Sequence, residues 1–416
     1  MSVIAIEGGN RIYGEITVQG AKNSVLPILA ATILSGDVCV VRKCPHLSDV
    51  ESAIEILRYL GCKVHWESDD LVVDTTSIDR CDIPENMMRQ MRSSVIFLGA
   101  ILARCGRAEM FYPGGCELGP RPIDLHLSAL RTLGAEIQEC AGCLHCKDRH
   151  LHGREIMLSI PSVGATENAI LAACGAEGTT TITNAAREPE ICDLQQFLRK
   201  MGAHVHGAGS STVTVEGGVP LHGCEHRCIA DRIVAATYLS AVAATGGEIC
   251  LRDVDYRHIS TVTTTLSQAG CRIRCEDEKI CLTSDGMLQG ISPVRTAPYP
   301  GFPTDAQAIL MAALLRSQGT TVFVENIFEN RYRHVPEFLR MGADVRLEGR
   351  VAVLCGVQKL CGTKVRATDL RGGAALVIAG LQGEGTTYID DIYHIHRGYA
   401  GLVENLAQLG AVIRYK

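Results

Sequence analysis

The sequence lacks the features that mark membrane proteins and nucleic-acid-binding proteins. It has no apolar run of membrane-spanning length, and its first residues, MSVIAIEGGN, contain neither a basic segment nor the apolar segment of a signal peptide. Positive charge is not in excess, since 40 Lys and Arg stand against 46 Asp and Glu. Binding nucleic acid would require a basic face. We therefore expect a cytoplasmic protein with no membrane insertion and no nucleic-acid partner.

Cysteine, in contrast, is abundant, with 19 residues. Most lie in apolar patterns, as Cys39, Cys174, Cys250 and Cys281 do, where cysteine acts as a small hydrophobic residue. Without a secretory signal, we expect free thiols and no disulfide framework.

One stretch is rich in both cysteine and histidine. ECAGCLHCKDRHLHGRE contains Cys140, Cys143 and Cys146 together with His145, His150 and His152. Such spacing can indicate a zinc site. Its position in the chain favours a β-hairpin with incidental cysteines, and no metal is expected.

Six copies of one sequence unit account for almost the whole chain. A phrase recurs as LGCKV, LGAEI, MGAHV, AGCRI, MGADV and LGAVI, at intervals of 68 to 73 residues. A second glycine, followed by a β-rich run such as GDVCVV or GTTTIT, recurs with a similar period. The first phrase has Gly61, Gly134, Gly202, Gly270, Gly342 and Gly410, and the second has Gly36, Gly106, Gly178, Gly246, Gly319 and Gly385. Two phrases that keep the same period indicate six repeats.

Each unit predicts the same order of elements. An Ala- and Leu-rich helix, apolar on nearly all sides and therefore buried, ends at a glycine and precedes a β-branched strand. An amphipathic helix follows, ends at the other glycine, and one or more strands close the unit. This order predicts helices inside and sheets outside, in two domains of three units with a boundary near Arg227–Arg232.

Charged residues recur at one position of the repeat, fourteen residues before the second glycine, in the N-terminal turn of the buried helix. This end of a helix carries a partial positive charge, so cations are unfavourable there unless an anion compensates. A single such cation is more commonly a surface or ion-paired residue, but the repetition favours an anionic ligand. The six residues are Lys22, Arg92, Gly164, Arg232, Asp305 and Arg371.

Arginines also lie near the starts of the amphipathic helices, at Arg121, Arg257 and Arg397. Asp305, the one carboxylate of the first set, has two interpretations. It could be a helix N-terminal carboxylate beside a capping Thr304, or a general base for a hydroxyl group.

Several motifs are spread along essentially the whole chain: GAKNSVLPILAATIL, PGGCELGPRPIDLHL, PSVGATEN, FPTDAQA and HRGY. Together they resemble the motifs of the enolpyruvyl transferase family, and within it those of the UDP-N-acetylglucosamine 1-carboxyvinyltransferases. The resemblance implies two inside-out α/β barrel-like domains of three repeats each, with the active site in the interdomain cleft. Residues 22–229 would form one domain, and residues 1–21 with 230–416 the other.

The resemblance also implies an activity. The enolpyruvyl group of phosphoenolpyruvate is transferred to the 3′-hydroxyl of UDP-N-acetylglucosamine, phosphate is released, and a tetrahedral intermediate is formed. This is the first committed step of peptidoglycan synthesis. No cofactor and no metal are implied.

Site residues follow from the matching motifs. Cys116, between glycines in a loop, would donate a proton to phosphoenolpyruvate and be alkylated by fosfomycin, and Asp305 would receive the proton of the sugar hydroxyl. The residues implied in catalysis are Cys116, Asp305, Lys22 and Arg397. Those implied in substrate binding are Lys22, Asn23, Arg92, Arg121, Pro122, Ile123, Asp124, Leu125, Ser162, Val163, Gly164, Asp305, Ile327, Asp369, Arg371 and Arg397.

Three alternatives to this activity remain open. Val234 and His396 stand where the family commonly has acidic residues, so a weakly active paralogue is one alternative. An enzyme that acts on shikimate 3-phosphate is another, although it would lack the cysteine loop. A non-catalytic ring around nucleic acid would need a positive inner face, against the acidic charge of this chain.

Overall fold

The computed structural model describes residues 3–114, 123–148 and 150–416. The strands are β1 (Ile4–Glu7), β2 (Ile12–Thr17), β3 (Val38–Arg42), β4 (Lys63–Glu67), β5 (Asp70–Asp74), β6 (Asp82–Ile83), β7 (Arg107–Phe111), β8 (Ala135–Cys140), β9 (Cys143–Asp148), β10 (Glu155–Met157), β11 (Gly178–Thr183), β12 (His204–His206), β13 (Thr212–Gly217), β14 (Glu225–Arg227), β15 (Gly247–Arg252), β16 (Arg272–Glu276), β17 (Lys279–Ser284), β18 (Val294–Arg295), β19 (Thr320–Val324), β20 (Asp344–Glu348), β21 (Val351–Cys355), β22 (Lys364–Arg366), β23 (Thr386–Asp390) and β24 (Val412–Tyr415).

The α-helices are α1 (Lys22–Thr32), α2 (Ser48–Tyr59), α3 (Glu85–Gln90), α4 (Phe97–Cys105), α5 (Asp124–Thr132), α6 (Val163–Cys174), α7 (Pro189–Lys200), α8 (Arg232–Thr245), α9 (Ser260–Gln268), α10 (Thr304–Ala313), α11 (Val335–Arg340), α12 (Leu370–Gln382), α13 (Tyr393–His396) and α14 (Leu402–Gln408). Short 3₁₀ helices cover Arg92–Ile96, Tyr256–Ile259 and Leu314–Arg316.

The strands of the described residues form six four-stranded sheets with one shared topology. The orders are β14-β3-β5-β4, β6-β7-β9-β8, β10-β11-β13-β12, β2-β15-β17-β16, β18-β19-β21-β20 and β22-β23-β1-β24. In every sheet the first two strands are parallel and the other neighbours antiparallel. Six sheets of one topology confirm the predicted repeats.

The N-terminal segment completes two sheets whose other strands come from late in the chain. Strand β1 lies between β23 and β24, with Ile4 opposite both Ile389 and Tyr415. Strand β2 runs parallel to β15. The resemblance implied this pairing, whereas the repeat pattern gave no sign of it.

Buried helices form the interior of each group of three repeats. Helices α1, α6, α8, α10 and α12 bury most of their residues, and α4 buries its first six, from Phe97 to Leu102. The twelve glycines of the two repeated phrases all have positive φ, between 60° and 111°. Backbone of this kind favours glycine and ends a helix. The predicted α/β fold, with helices inside and sheets outside, is confirmed.

The chain divides into two compact units. One, here called the C-terminal unit, contains the described residues up to Gln19 together with Ala230–Lys416. The other, here called the N-terminal unit, contains the described residues from Gly20 to Ile229. Among the described residues, no helix is both long enough and apolar enough to span a membrane.

The prediction that all cysteines are free thiols is wrong for one pair. Cys250 and Cys281 face each other on the antiparallel strands β15 and β17 and form a disulfide, with their Cα atoms 4.1 Å apart. The apolar pattern placed each residue on a strand. It contained no information on register, and register is what brings the two sulfurs together.

Candidate functional site

The six charged or small residues of the repeat begin buried helices, as predicted. Lys22 and Arg232 are the first residues of α1 and α8, and Arg92 is the first residue of a 3₁₀ helix that continues into α4. Gly164, Asp305 and Arg371 are second residues, of α6, α10 and α12. The first turn of each buried helix, or of the 3₁₀ helix that continues into α4, therefore carries a charged side chain, except in α6, where the position is glycine.

In the C-terminal unit, Asp305 lies between two buried arginines. Nη2 of Arg331 is 3.2 Å from Oδ1 of Asp305, and both Nε and Nη2 of Arg371 are 3.2 Å from Oδ2. Both arginine side chains are 2% exposed, whereas that of Asp305 is 29% exposed. The two guanidinium groups thus hold the carboxylate at the edge of an otherwise buried ion network.

Asp369 joins the same network, here called the Asp305 cluster (Asp305, Arg331, Asp369 and Arg371). Its Oδ1 accepts hydrogen bonds from the backbone N–H groups of Arg371 and Gly372 and so caps α12, and it is 3.8 Å from Nη1 of Arg331. Burial alone would raise the pKa of Asp369, but the charge of Arg331 and the two N–H donors outweigh it and lower the pKa.

Arg371 stays charged despite full burial. Burial alone would lower its pKa, but Tyr399, Asp305 and Asp231 raise it above the ordinary value. The guanidinium also stacks over the ring of Tyr399, 5.4 Å from its centroid, and the Tyr399 hydroxyl lies 2.9 Å from Oγ1 of Thr237. These contacts fix the arginine that pairs with Asp305.

A buried carboxylate, Glu325, connects Asp305 to the loop that carries Ile327. Oε2 of Glu325 accepts a hydrogen bond from Oγ1 of Thr304 at 3.0 Å, and Oε1 accepts from the backbone N–H groups of Ile327 and Phe328 at 2.8 and 3.0 Å. The interpretation in which Thr304 caps α10 is wrong, since the helix begins at Thr304 after Pro303 and has no side-chain cap. The hydroxyl of Thr304 instead ties the helix end to Glu325.

His334 lies fully buried beside the Asp305 cluster. Burial lowers its pKa to about 4, with Asp369 acting in the opposite direction. Its two ring nitrogens have no hydrogen-bond partner within the part of the chain that the structure describes. The ring is held by packing, edge-on against Phe338 at 5.0 Å between centroids.

In the N-terminal unit, Lys22 is held by an ion pair. Its Nζ is 3.3 Å from Oδ2 of Asp49, the second residue of α2, and the two side chains are 11% and 5% exposed. The same first turn of α1 is tied to α7, because the hydroxyl of Ser24 donates to Asp193. Asp193 also contacts Nε2 of His226 at 2.8 Å.

A second group in this unit surrounds His126 on α5. Burial and, to a smaller extent, the positive charge of Arg92 lower the pKa of His126 to about 4. Nδ1 of the ring lies 3.0 Å from Nδ2 of Asn168 on α6. A Cβ atom at Gly164 would lie 3.0 Å from Cε1 of the same ring, so the histidine occupies the space that a side chain would need.

The N-terminus of α6 is formed by Ser162, Val163 and Gly164. Ser162 is the capping residue, and its hydroxyl accepts from the N–H of Ala165 at 3.4 Å. Its carbonyl accepts from Oγ1 of Thr166, which itself accepts the N–H of Ala186. The first N–H groups of a helix are potential donors to an anion, and at α6 the ring of His126 occupies the space beside Gly164.

For the other predicted site residues, the main observation is how deeply each one is buried. Ile123 is buried and directly precedes α5, Asp124 is exposed, and Leu125, Asn23 and Arg397 are half-buried. Ile327 is exposed, 37% by side chain and backbone together. Cys116, Arg121 and Pro122 lie outside the described residues.

Sequence reasoning missed several residues of these groups. Arg331, Glu325 and His334 carry no repeat signal in the sequence. Asp49 and His126 look like ordinary polar residues of amphipathic helices. Their burial is the signal that distinguishes them, and burial is a property of the folded chain.

Each unit therefore presents charged groups suited to a different task. The Asp305 cluster offers a partly exposed carboxylate that could accept a proton, backed by fixed cations. The N-terminal unit offers Lys22, Arg92 and the N-terminus of α6, groups of the kinds that bind phosphate or carboxylate.

Comparison with known proteins gives full-length matches. Residues 6–406 match the family model described as EPSP synthase (3-phosphoshikimate 1-carboxyvinyltransferase). The chain is 49% identical over 413 residues to UDP-N-acetylglucosamine 1-carboxyvinyltransferase 2 of Caldanaerobacter subterraneus subsp. tengcongensis, covering 99% of each chain. It is 45% identical over 414 residues to UDP-N-acetylglucosamine 1-carboxyvinyltransferase of Dichelobacter nodosus, again covering 99% of each.

Solved structures share the fold. The enolpyruvyl transferase NikO from Streptomyces tendae superposes with a TM-score of 0.89 at 24% identity, covering 100% of this chain and 99% of that one. EPSP synthase from Acinetobacter baumannii gives a TM-score of 0.74 at 20% identity, with both chains fully covered.

Proposed function

The chain belongs to the UDP-N-acetylglucosamine 1-carboxyvinyltransferases, within the EPSP synthase family, and on that premise we propose the reaction that it catalyses. It transfers the enolpyruvyl group of phosphoenolpyruvate to the 3′-hydroxyl of UDP-N-acetylglucosamine and releases phosphate. The observation that carries the proposal is Asp305, a partly exposed carboxylate held by two buried arginines at the start of a buried helix.

The reaction proceeds by addition and then elimination. In the addition, a proton joins the methylene carbon of phosphoenolpyruvate while the sugar hydroxyl oxygen bonds to the adjacent carbon and gives up its proton. In the elimination, the intermediate loses phosphate and a proton from the former methylene carbon, which restores the double bond. Two groups must therefore move protons, one as acid and one as base.

Asp305 is the proposed base for the sugar hydroxyl. Arg331 and Arg371 contact one carboxylate oxygen each and fix the plane of the group. Fixed orientation of this kind saves reorganisation when the proton moves. Asp369 and Arg371 are proposed to complete the site around Asp305.

Phosphoenolpyruvate requires cations for its phosphate and carboxylate. Lys22, Arg121 and Arg397 are the proposed ligands, and Asn23 and Arg92 add polar contacts. Charge-assisted hydrogen bonds from Lys and Arg are the strong ones for such anions. Asp49 holds Lys22 in place through the 3.3 Å ion pair.

The nucleotide sugar is proposed to lie against three segments. Ser162, Val163 and Gly164 present the N–H groups of α6 to its phosphates. The segment of Arg121, Pro122, Ile123, Asp124 and Leu125 lines the sugar nucleotide, and Ile327 contacts the nucleotide.

Cys116 is the proposed acid, donating its proton to the methylene carbon. Nearby cations lower the pKa of a thiol and make it reactive, so alkylation by the epoxide fosfomycin is expected. In the cell, the enzyme would act in the cytoplasm at the first committed step of peptidoglycan synthesis, and cell-wall growth, cell shape and division would depend on it.

A phosphate-release assay tests the proposal. We expect release that requires both phosphoenolpyruvate and UDP-N-acetylglucosamine, fails with shikimate 3-phosphate as acceptor, and is abolished by fosfomycin. No release under reducing conditions would contradict the proposed function, and a low rate with the same specificity would indicate the weakly active paralogue.

Substitution of the base separates catalysis from binding. Asp305→Asn should lower kcat about 10²- to 10⁴-fold, the range of a general base. Binding of UDP-N-acetylglucosamine, measured by calorimetry, should persist. A kcat within a few-fold of the wild type would exclude Asp305 as the base.

A further inference from the structure

One face of the sheet β6-β7-β9-β8 gathers three potential metal ligands. Glu109 on β7 lies directly opposite His145 on β9. Cys143 lies two residues before His145, and residues at this spacing share a face of a strand. The three residues meet on the hairpin that contains the cysteine- and histidine-rich stretch.

The ligand atoms are close enough to share one ion. Nδ1 of His145 is 3.3 Å from Oε2 of Glu109, and Sγ of Cys143 is 3.9 Å from Oε1 of the same carboxylate. All three residues offer a ligand atom within 4.8 Å of the other two. Tetrahedral zinc, with bonds of about 2.0–2.3 Å, places its ligand atoms about 3.3–3.5 Å apart, so small side-chain rotations suffice.

Burial differs among the three residues in a way that suits a metal site. Cys143 is 6% exposed, whereas the side chains of His145 and Glu109 are 41% and 53% exposed. The thiol is therefore shielded from solvent, while the other two ligands leave a path for an ion to enter.

This set differs from the one that spacing suggests. Cys143 and Cys146 are separated by three positions, so they point to opposite faces of β9, and Cys146 is 2% exposed on the core side. Glu109 precedes the motif by more than thirty residues and joins it only through strand pairing. The Cys-x-x-Cys motif thus does not place its cysteines on one face, and only Cys143 joins Glu109 and His145.

We propose that Glu109, Cys143 and His145 form a binding site for Zn²⁺, with solvent in the fourth position. One thiolate, one imidazole and one carboxylate are all common ligands of this borderline-soft ion. The site is independent of the proposed transferase reaction.

The chain contains a matched control in its next sheet. His204 on β12 lies opposite Glu216 on β13, and Nδ1 and Oε2 are 3.2 Å apart. This pair reproduces the cross-strand His–Glu contact, and among the described residues it is not part of a three-ligand group. His204→Asn therefore removes a similar pair without touching the proposed site.

The experiment uses full-length protein purified without a histidine tag, stripped with a chelator and titrated with Zn²⁺ alone. We expect Glu109→Gln, His145→Asn and Cys143→Ser each to weaken one equivalent of zinc at least about tenfold. His204→Asn should bind as the wild type does. With Co²⁺, Cys143→Ser should lose the absorption of one thiolate–cobalt bond.

Two outcomes would overturn the proposal. One is zinc binding by Glu109→Gln and His145→Asn equal to that of the wild type, which would assign the metal to other thiols. The other is an equal loss in His204→Asn. Glu109 is exposed and His145 half-buried, so we expect both variants to keep the core, and they decide the result if Cys143→Ser fails to fold.

Discussion

At the residue scale, Asp305 depends on groups that are themselves buried. Arg331 and Arg371 hold its two oxygens, and Thr304, its neighbour, is held by Glu325. Glu325 is 1% exposed and also accepts a hydrogen bond from Oγ1 of Thr296. When a buried carboxylate accepts several hydrogen bonds, the loss of one donor leaves one of its oxygens with an unsatisfied acceptor site, which costs stability.

Thr304→Val should therefore impair Asp305, the proposed base, indirectly. It removes one donor to Glu325 while preserving shape, and we expect a loss of about 1–3 kcal/mol in unfolding free energy. Because the start of α10 loosens, kcat should fall more than KM rises for phosphoenolpyruvate. Urea unfolding and steady-state phosphate release measure the two effects.

Thr304→Ser is the matched control, since it keeps the hydroxyl, and should restore kcat close to the wild-type value. Equal kcat in Thr304→Val and the wild type would show that the link to Glu325 does not position Asp305.

At this scale, the sequence predicted which residues belong to the site better than it predicted which residues they contact. Asp305, Asp369 and Arg371 were singled out and lie together in one network. Arg331 and Glu325 were not assigned, because they come from the segment after β19 and meet α10 only in the fold.

At the element scale, the buried helices combine an apolar body with a polar first turn. Helix α6 shows how tightly that turn is packed. The ring of His126 lies over Gly164 and is fixed by Asn168, whose Oδ1 also accepts the N–H of Gly99 at 2.6 Å. One histidine thus contacts α6 at its first turn and again at Asn168.

Gly164→Ala should weaken binding of UDP-N-acetylglucosamine. The added methyl would press on His126 at 3.0 Å, and overpacking of this kind costs about 1–3 kcal/mol. Calorimetric binding and thermal unfolding of Gly164→Ala, His126→Ala and the double variant form a thermodynamic cycle.

If the contact is the cause, the double variant should lose less stability than the two single variants together. Additive losses would show that the effect of Gly164→Ala does not come from His126.

At the scale of the whole molecule, each unit contains a buried histidine with a depressed pKa. Burial lowers the pKa of His126 in the N-terminal unit and of His334 in the C-terminal unit to about 4. The unfolded chain binds these protons near pH 6.5, so between pH 6.5 and 4 it binds more protons than the folded chain. Protons therefore favour unfolding in this window.

Stability should be complete above about pH 6.5 and decrease toward pH 4, by about 3 kcal/mol for each histidine at pH 4. His334→Leu removes a group whose ring nitrogens have no hydrogen-bond partner in the described ranges, so it should flatten this decrease. Urea unfolding at several pH values measures the slope.

Above pH 6.5 the two proteins should differ by a constant amount, which provides the internal control. An unchanged slope in His334→Leu would mean that His334 does not carry this part of the acid sensitivity.

The sequence by itself determined the repeat, the helix and strand types and the polar first turns, because periodicity and glycine spacing are local properties of a chain. Tertiary structure alone decided which residues meet: Glu109 with His145, Cys250 with Cys281, and Arg331 with Asp305. Each pair joins segments distant in sequence, and strand register or helix packing sets the distance between them. That distance decides whether two thiols form a disulfide, whether three ligands share a metal, and whether a carboxylate is a helix terminus or a base.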